Sequence, residues 1–231
     1  MAGLQSIINA CNGLMIDRRK MVGIQYTRNE IPRVSQTPTR NPWKFTLDMP
    51  NSYRYNEARS LMEALDTLDR TTPEVITFSE NGKLDWMYRY QGAMSSGQIN
   101  SLNVVSFVGN QLTLTGLPYG GSGLVLFEPN DLIQIGTTDE YPYPFTSTTQ
   151  VLRGNDANVT VTTNRPNILT GNLVGKGLIV GNDCQFNMFC PNMPTYKLIP
   201  GGYQKTNGVL VGNALIEFSD AFQFYEFVGD A

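Results

Sequence analysis

The feature that most limits how this chain can fold is one amphipathic helix pattern in a sequence of short, alternating strands. The pattern runs from Tyr55 to Asp69, and Pro50-Asn51-Ser52 before it supplies capping side chains. Its apolar stripe consists of Ala58, Leu61, Met62, Leu65 and Leu68. Because such a stripe must pack on another element, the sequence predicts a mainly β protein with one helix packed on a sheet.

The chain contains no histidine among its 231 residues. This removes the commonest general base and the commonest metal ligand. Cys11, Cys184 and Cys190 form no C-x-x-C pair, so we interpret them as buried apolar residues or free thiols in a reducing compartment. Catalysis becomes the minority interpretation, and we expect no cofactor and no metal.

Charge and hydropathy exclude further classes of protein. Charged residues are 16% of the chain and the net charge is −3, which indicates a globular protein without a cationic excess for gripping phosphates. No run approaches the roughly twenty apolar residues that cross a bilayer. Arg18 and Arg19 follow the first apolar residues, the reverse of a secretory signal. We therefore expect no membrane, no export and no specific nucleic-acid binding.

The first 20 residues predict a short amphipathic helical arm. Its apolar positions are Leu4, Ile7, Ile8, Cys11 and Met15. So short a helix needs a surface to lie on. Two alternatives remain: the helix packs on its own domain, or it docks on a neighbouring subunit, in which case these five residues are the candidate subunit interface.

The remaining chain predicts two β domains. One comprises residues 21–98 and 209–231, with strands at Val22–Tyr26 and Trp43–Met49, a hairpin from Glu74 to Tyr90 turning at Asn81-Gly82, and an aromatic strand pair within Ile216–Val228. The other, residues 99–208, contains many short strands and predicts an inserted small barrel or sandwich. Within it we expect hairpins at Val104–Thr115 and Val151–Thr163.

Carboxylates offer the main alternative to a purely structural role. Glu63 and Asp66 could act as a pair on the helix, but a solvated helix face is strongly favoured, because the sequence indicates no perturbing group beside them. Loop acids brought together by the fold could hydrolyse glycosides, and these are Asp131, Asp139, Glu140 and Asp183. The glycine-rich segment Pro118–Gly123 lacks the Lys-Ser/Thr ending of a phosphate-binding loop, so a β-loop is favoured.

Several runs of residues resemble tail and baseplate proteins of contractile-tailed, T4-like bacteriophages. The runs are Ile31-Pro32-Arg33, Trp43-Lys44-Phe45, Pro50-Asn51-Ser52-Tyr53-Arg54-Tyr55, Ala58-Arg59-Ser60-Leu61, Leu84-Asp85-Trp86, Phe127–Ile135, Asn164-Arg165-Pro166 and Met193–Gly201. The resemblance implies a tail-tube-type β-sandwich with one packed helix. It also implies a structural, non-enzymatic protein of the virion, assembled in the host cytoplasm.

The role that the resemblance implies is a homo-oligomeric ring joining the tail tube to the baseplate hub, as a tube initiator or adaptor. A hexamer is favoured over a trimer, with DNA passing through the lumen unbound. The inserted domain departs from a plain tube subunit, which favours a ring occurring once at the tail end. The alternatives are a carbohydrate-binding or carbohydrate-cleaving tail module, using Trp86 or Tyr119, and a minor capsid decoration protein.

Overall fold

The fold is mainly β with a few helices, as the sequence predicts. The computed structural model describes residues 3–18, 22–26, 32–36, 42–50, 53–66, 72–119, 122–136, 141–207, 209–212 and 214–228. The chain divides into two compact units. Unit 1 comprises Met1–Arg18, Pro42–Ile76 and Asn187–Phe227, and unit 2 comprises Arg19–Asn41, Thr77–Phe186 and Val228–Ala231.

The helices and strands follow one another in this order along the described chain. The helices are α1 (Gly3–Ala10), α2 (Tyr55–Asp66) and α3 (Ser96–Ser101), with one turn of 3₁₀ helix at Gly181–Asp183. The strands are β1 (Gly13–Asp17), β2 (Val22–Tyr26), β3 (Pro32–Gln36), β4 (Lys44–Asp48), β5 (Tyr53–Arg54), β6 (Glu74–Thr77), β7 (Asn103–Val108), β8 (Gln111–Thr115), β9 (Val125–Phe127), β10 (Leu132–Ile135), β11 (Phe145–Thr146), β12 (Val151–Leu152), β13 (Val159–Thr162), β14 (Leu178–Val180), β15 (Gln185–Phe189), β16 (Tyr196–Ile199), β17 (Tyr203–Thr206), β18 (Val209–Gly212), β19 (Leu215–Phe218) and β20 (Phe222–Glu226).

A five-stranded sheet in the order β1-β4-β20-β15-β6 dominates unit 1. Strand β4 pairs antiparallel with β1 on one side and with β20 on the other. Phe45 lies opposite Phe224 and Leu47 opposite Phe222, and all four side chains are fully buried. The alternation that predicts one buried face of a strand is confirmed, because these cross-strand apolar pairs stabilise the sheet.

The start of β4 is tied to β20 by a buried carboxylate. The Trp43 backbone N–H donates to Glu226 Oε2 at 2.9 Å, and the Glu226 N–H donates to the Trp43 carbonyl at 2.9 Å. On the other face of the same pair, the Lys44 ammonium lies 5.1 Å from the centre of the Tyr225 ring. The chain therefore returns to its first sheet at β20, as the aromatic residues near 222–226 predict.

Helices α1 and α2 pack on each other in unit 1. The start of α2 at Tyr55 agrees with the predicted start, and the predicted end at Asp69 lies outside the described residues. Helix α1 ends at Ala10, because Asn12 donates its N–H to the Asp48 carbonyl and the chain then enters β1. The first turn of α1 is capped by Glu74, whose Oε2 accepts the Leu4 N–H at 2.8 Å.

Three small antiparallel sheets surround the core of unit 2. Their strand orders are β13-β8-β7, β12-β9 and β11-β10-β14. Their inner faces meet in one apolar cluster that includes Leu112, Leu114, Phe127, Ile133 and Phe145, each fully buried. The predicted hairpin β7–β8 is confirmed, with Gly109 and Asn110 at its turn.

The predicted hairpin across Asn81-Gly82 is wrong. Residues 82–88 form successive turns, with N–H groups of Leu84 and Met87 donating to carbonyls three residues earlier. The Asn81 side chain is buried, and its Oδ1 accepts the N–H groups of Lys83 (2.7 Å) and Leu84 (3.2 Å). The side chain thus closes a turn of its own in place of a two-residue strand reversal.

Two further predicted pairings are also wrong. Strand β12 pairs with β9 and β13 pairs with β8, so Val151–Thr163 is not a hairpin. The aromatic strands β19 and β20 lie in different sheets, since β19 pairs with β16 and β5. In each case the strand pairs with a partner distant in sequence and not with its nearest neighbour in sequence, because side-chain packing decides the pairing.

Helix α3, at Ser96–Ser101, spans the predicted domain boundary between residues 98 and 99. Ser95 and Gln98 form a capping box: Gln98 N donates to the Ser95 hydroxyl, and Ser95 N donates to Gln98 Oε1 at 2.8 Å. The S-x-x-Q spacing is the signal that could have predicted this helix.

The unit boundaries also lie elsewhere than the predicted domain boundaries. Residues 77–98, placed by sequence in the first domain, lie in unit 2, and residues 187–208, placed in the insertion, lie in unit 1. Phe78 packs within unit 2, with its ring 5.3 Å from that of Phe186. Strand β16 pairs with β19 inside unit 1. These long-range contacts assign each segment to the unit that buries it.

Candidate assembly surfaces

The five apolar positions of the predicted arm divide into two groups. Leu4, Ile7, Ile8 and Cys11 are each at most 1% exposed, on α1 and directly after it, whereas Met15 is 68% exposed in β1. The four buried side chains are used by the packing of their own unit and present no surface to a neighbouring subunit. Of the candidate interface residues, Met15 is the one that faces solvent.

Asp131 is the one predicted loop acid with a buried carboxylate among those described. Its two oxygens accept the N–H groups of Gln91 (2.9 Å) and Glu128 (2.8 Å), so the carboxylate joins two loops of unit 2. Burial raises the pKa of Asp131 above its usual range, opposed by the N–H donors and assisted by the charge of Glu128. Both oxygens accept backbone N–H groups and the residue is 2% exposed, so a substrate has little access to this carboxylate.

The other predicted acids do not combine into a site. Glu63 and Asp66 are exposed on α2, and Asp183 is exposed in the 3₁₀ turn. Asp139 and Glu140 lie outside the described residues. Within the described ranges, no group of three or more cysteine, aspartate or glutamate side chains could hold a metal ion. No described helix is long and apolar enough to cross a membrane.

The two aromatic residues predicted for glycan contact are exposed in unit 2. Trp86 is 67% exposed, and its indole N–H donates to the Lys83 carbonyl at 2.8 Å within the turn series. Tyr119 is fully exposed beside the glycine-rich loop. Arg153 anchors that loop by donating from Nε to the Pro118 carbonyl at 3.3 Å. Gly120 and Gly121 lie outside the described residues.

A two-stranded hairpin, β2–β3, occupies the stretch of chain between β1 and β4. Its register places Val22 opposite Gln36 and Tyr26 opposite Pro32. Among the described strands it pairs with no third strand, and it is a separate two-stranded sheet. A hairpin of this kind is marginally stable in water without a further packing partner.

A cleft of about 470 Å³ opens in unit 1, beside the start of β1 and the end of β4. Buried Met49 and half-buried Pro50, Phe218 and Ala221 supply its apolar lining. The three charged residues that line it are Asp48, Glu217 and Asp220, all exposed. Of the described residues that line this cleft, none is a lysine or an arginine.

Sequence reasoning missed this cleft. Asp48 ends one strand, Glu217 lies in β19, and Asp220 lies in the turn before β20. The three acids line one cleft only because β20 pairs with β4, and that pairing joins segments about 180 residues apart. No spacing between neighbouring residues in the sequence predicts the cleft.

The sequence matches no protein-family model, and no curated protein matches it. Function is therefore inferred from the residues and the geometry described above.

Proposed function

We propose that this chain is a structural virion protein of a contractile phage tail, which forms a homo-oligomeric ring joining the tail tube to the baseplate hub. The runs of residues that resemble tail and baseplate proteins support this role. The observation that carries the proposal is the β2–β3 hairpin, because among described strands it pairs only within itself.

The hairpin favours assembly for an energetic reason. Two strands that pair only with each other leave one unpaired edge each. A neighbouring subunit can supply a strand that pairs with such an edge. When such a contact joins different faces of two copies, repetition closes into a ring if the rotation between copies allows it.

The buried carboxylate of Asp131 is consistent with a structural role. Its oxygens accept two backbone N–H groups of unit 2, and the residue is 2% exposed. A carboxylate in glycoside hydrolysis needs an oxygen directed at the sugar. The chemistry of this acid therefore supports loop positioning over catalysis.

A carbohydrate-binding tail module is the second candidate, and the exposed aromatic rings favour it. Tyr119 is fully exposed and Trp86 is 67% exposed. Flat exposed rings stack on sugar faces. Glycan binding that is lost in Trp86→Ala or Tyr119→Ala protein, together with failure to enter tails, would favour this candidate.

The test is assembly with tail components. We expect the full chain, produced together with tail-tube and baseplate hub proteins, to appear in negative-stain images as a ring at the tube end. A variant in which a short Gly-Ser linker replaces residues 22–36 should remain folded by circular dichroism and lose incorporation. Trp86→Ala is the matched control and should incorporate normally. Absence of the wild-type chain from tails would refute the proposed role.

A further inference from the structure

Charge is unevenly distributed along this chain. Residues 18–41, which contain the β2–β3 hairpin, carry six basic residues and one acidic residue. These are Arg18, Arg19, Lys20, Arg28, Arg33 and Arg40, with Glu30 the single acid. The segment therefore has a net charge of +5, and since the whole chain has −3, the remainder has −8. We call residues 18–41 the basic segment.

The basic segment is rooted at a defined end of the five-stranded sheet. In the β1–β4 pair, Asp17 lies opposite Lys44, and the chain leaves the sheet after one and re-enters before the other. Arg18 begins the segment, and its guanidinium lies 5.4 Å from the centre of the Trp43 ring. Trp43 is fully buried, so this contact fixes the root.

The acidic cleft lies at the other end of the same two strands. Gly13 lies opposite Asp48 in the register, and both residues line the cleft. Four residue steps at about 3.4 Å separate the two ends, a distance of roughly 14 Å. Unit 1 thus presents Arg18 at one end of the strand pair and the carboxylate-lined cleft at the other.

We infer that the acidic cleft is the docking site for the basic segment of a second copy of this chain. Charge complementarity identifies the occupant: the cleft has three exposed carboxylates, and the segment has an excess of five positive charges. The apolar lining from Met49 and Phe218 accommodates the aliphatic stems of arginine and lysine. Because Arg18, where the segment begins, and the cleft lie at opposite ends of one strand pair, docking of the start of the segment joins different faces of two copies, which is a head-to-tail contact.

This inference rests on the proposed function, since it names the contact by which the copies of the ring join. It also predicts a salt dependence. Exposed charges are screened over about 10 Å at 0.1 M salt. Self-association of the full chain should therefore weaken about tenfold or more between 50 and 500 mM NaCl, measured by sedimentation velocity.

The decisive experiment reverses charge on each side separately. Glu217→Lys with Asp220→Lys makes the cleft cationic, and Arg19→Glu with Lys20→Glu makes the segment less basic. Each double variant alone should self-associate about tenfold or more weakly than wild type. An equimolar mixture of the two should recover association between unlike copies, because the unchanged basic segment of the cleft variant fits the unchanged acidic cleft of the segment variant.

The matched control is Asp66→Lys with Asp156→Lys. It changes the net charge as much as the cleft variant does, at two exposed positions outside the cleft. It should associate like wild type. Circular dichroism of all variants separates loss of docking from loss of folding.

Four results would overturn the inference. The first is a wild-type chain that stays monomeric at 50 mM salt. The second is a mixture that does not recover association, which indicates that the segment docks on its own copy. The third is loss of DNA-fragment binding in Arg19→Glu, Lys20→Glu protein without any change in self-association, which indicates a nucleic-acid ligand. Incorporation of the cleft variant into tails at the wild-type level would reject this contact and leave the proposed ring role standing.

Discussion

Exchanging single residues at Asn81 and Gly82 distinguishes the turn observed in unit 2 from the hairpin that the Asn-Gly pair predicts. In the structure, Asn81 Oδ1 accepts two N–H groups, and the Asn81 side chain is 2% exposed. Gly82 does not have a positive φ, and a Cβ added there meets no atom within 4 Å. Substitution of Asn81 is therefore expected to lower the free energy of unfolding, and substitution of Gly82 is not.

Asn81→Ala should lower the free energy of unfolding by about 1–2 kcal/mol. The Lys83 N–H loses its side-chain acceptor at 2.7 Å, whereas Leu84 keeps a 3.0 Å bond to the Asn81 carbonyl. One lost capping bond of this type is worth about 0.5–2 kcal/mol. For a chain of this size, the midpoint of thermal unfolding should fall by about 2–8 °C.

Gly82→Ala should leave stability unchanged or raise it by about 0.4–1 kcal/mol, because the unfolded chain loses conformational freedom. Asn81→Asp keeps the acceptor oxygen and is the matched control. Urea unfolding followed by circular dichroism measures all three variants. A type I′ hairpin requires positive φ at both central residues. Gly82→Ala protein that is less stable than Asn81→Ala protein would therefore refute the turn described here.

Three other predictions concern unit 2. Arg165 is 1% exposed with its guanidinium 3.7 Å from the centre of the Tyr143 ring, so Arg165→Lys should cost about 1–3 kcal/mol in urea unfolding, and an unchanged midpoint would contradict the stacking. Burial raises the pKa of Asp131, so the folded state holds its proton more tightly than the unfolded state; the stability that Asp131 contributes is present below pH 3.8 and is lost as pH rises through its folded pKa. Asp131→Asn protein should thus compare worst with wild type in acid, and a difference in unfolding free energy that is constant with pH would argue against this. Burial raises the pKa of Tyr90 to about 12, so one tyrosine resonance should titrate near that pH and be missing from Tyr90→Phe protein. Titration of the Tyr90 resonance near pH 10 would contradict the raised pKa.

The sequence predicts those elements whose stability is local. The 3.6-residue stripe predicts α2, and strict alternation predicts β4 and the β7–β8 hairpin, because one buried face decides the register. The predictions that are wrong concern which strands pair with each other. Asn81-Gly82 satisfies the composition of a hairpin turn, but the buried Asn81 side chain bonds the next two N–H groups and draws the chain into successive turns.

The candidate site could be predicted even less from the sequence. Leu4, Ile7 and Ile8 have the spacing of an interface helix and of a core helix alike, and burial decides between them. The acidic cleft exists because β20 returns to β4, so Glu217 and Asp220 reach Asp48 only through the tertiary fold. The positive charge of residues 18–41 can be counted from the sequence. The acidic cleft can be located only from the strand register.

The strand order of unit 1 sets the sequence of events during synthesis. Strand β4 lies between β1 and β20, and the ribosome makes one of these neighbours before β4 and the other only after residue 221. Residues 77–186 are contiguous and can collapse on their own while the apolar face of Phe45 and Leu47 still waits for Phe222 and Phe224. A nascent chain therefore carries an open, aggregation-prone edge until residues 222–226 have been made, and chaperones that shield such edges are expected to bind it there.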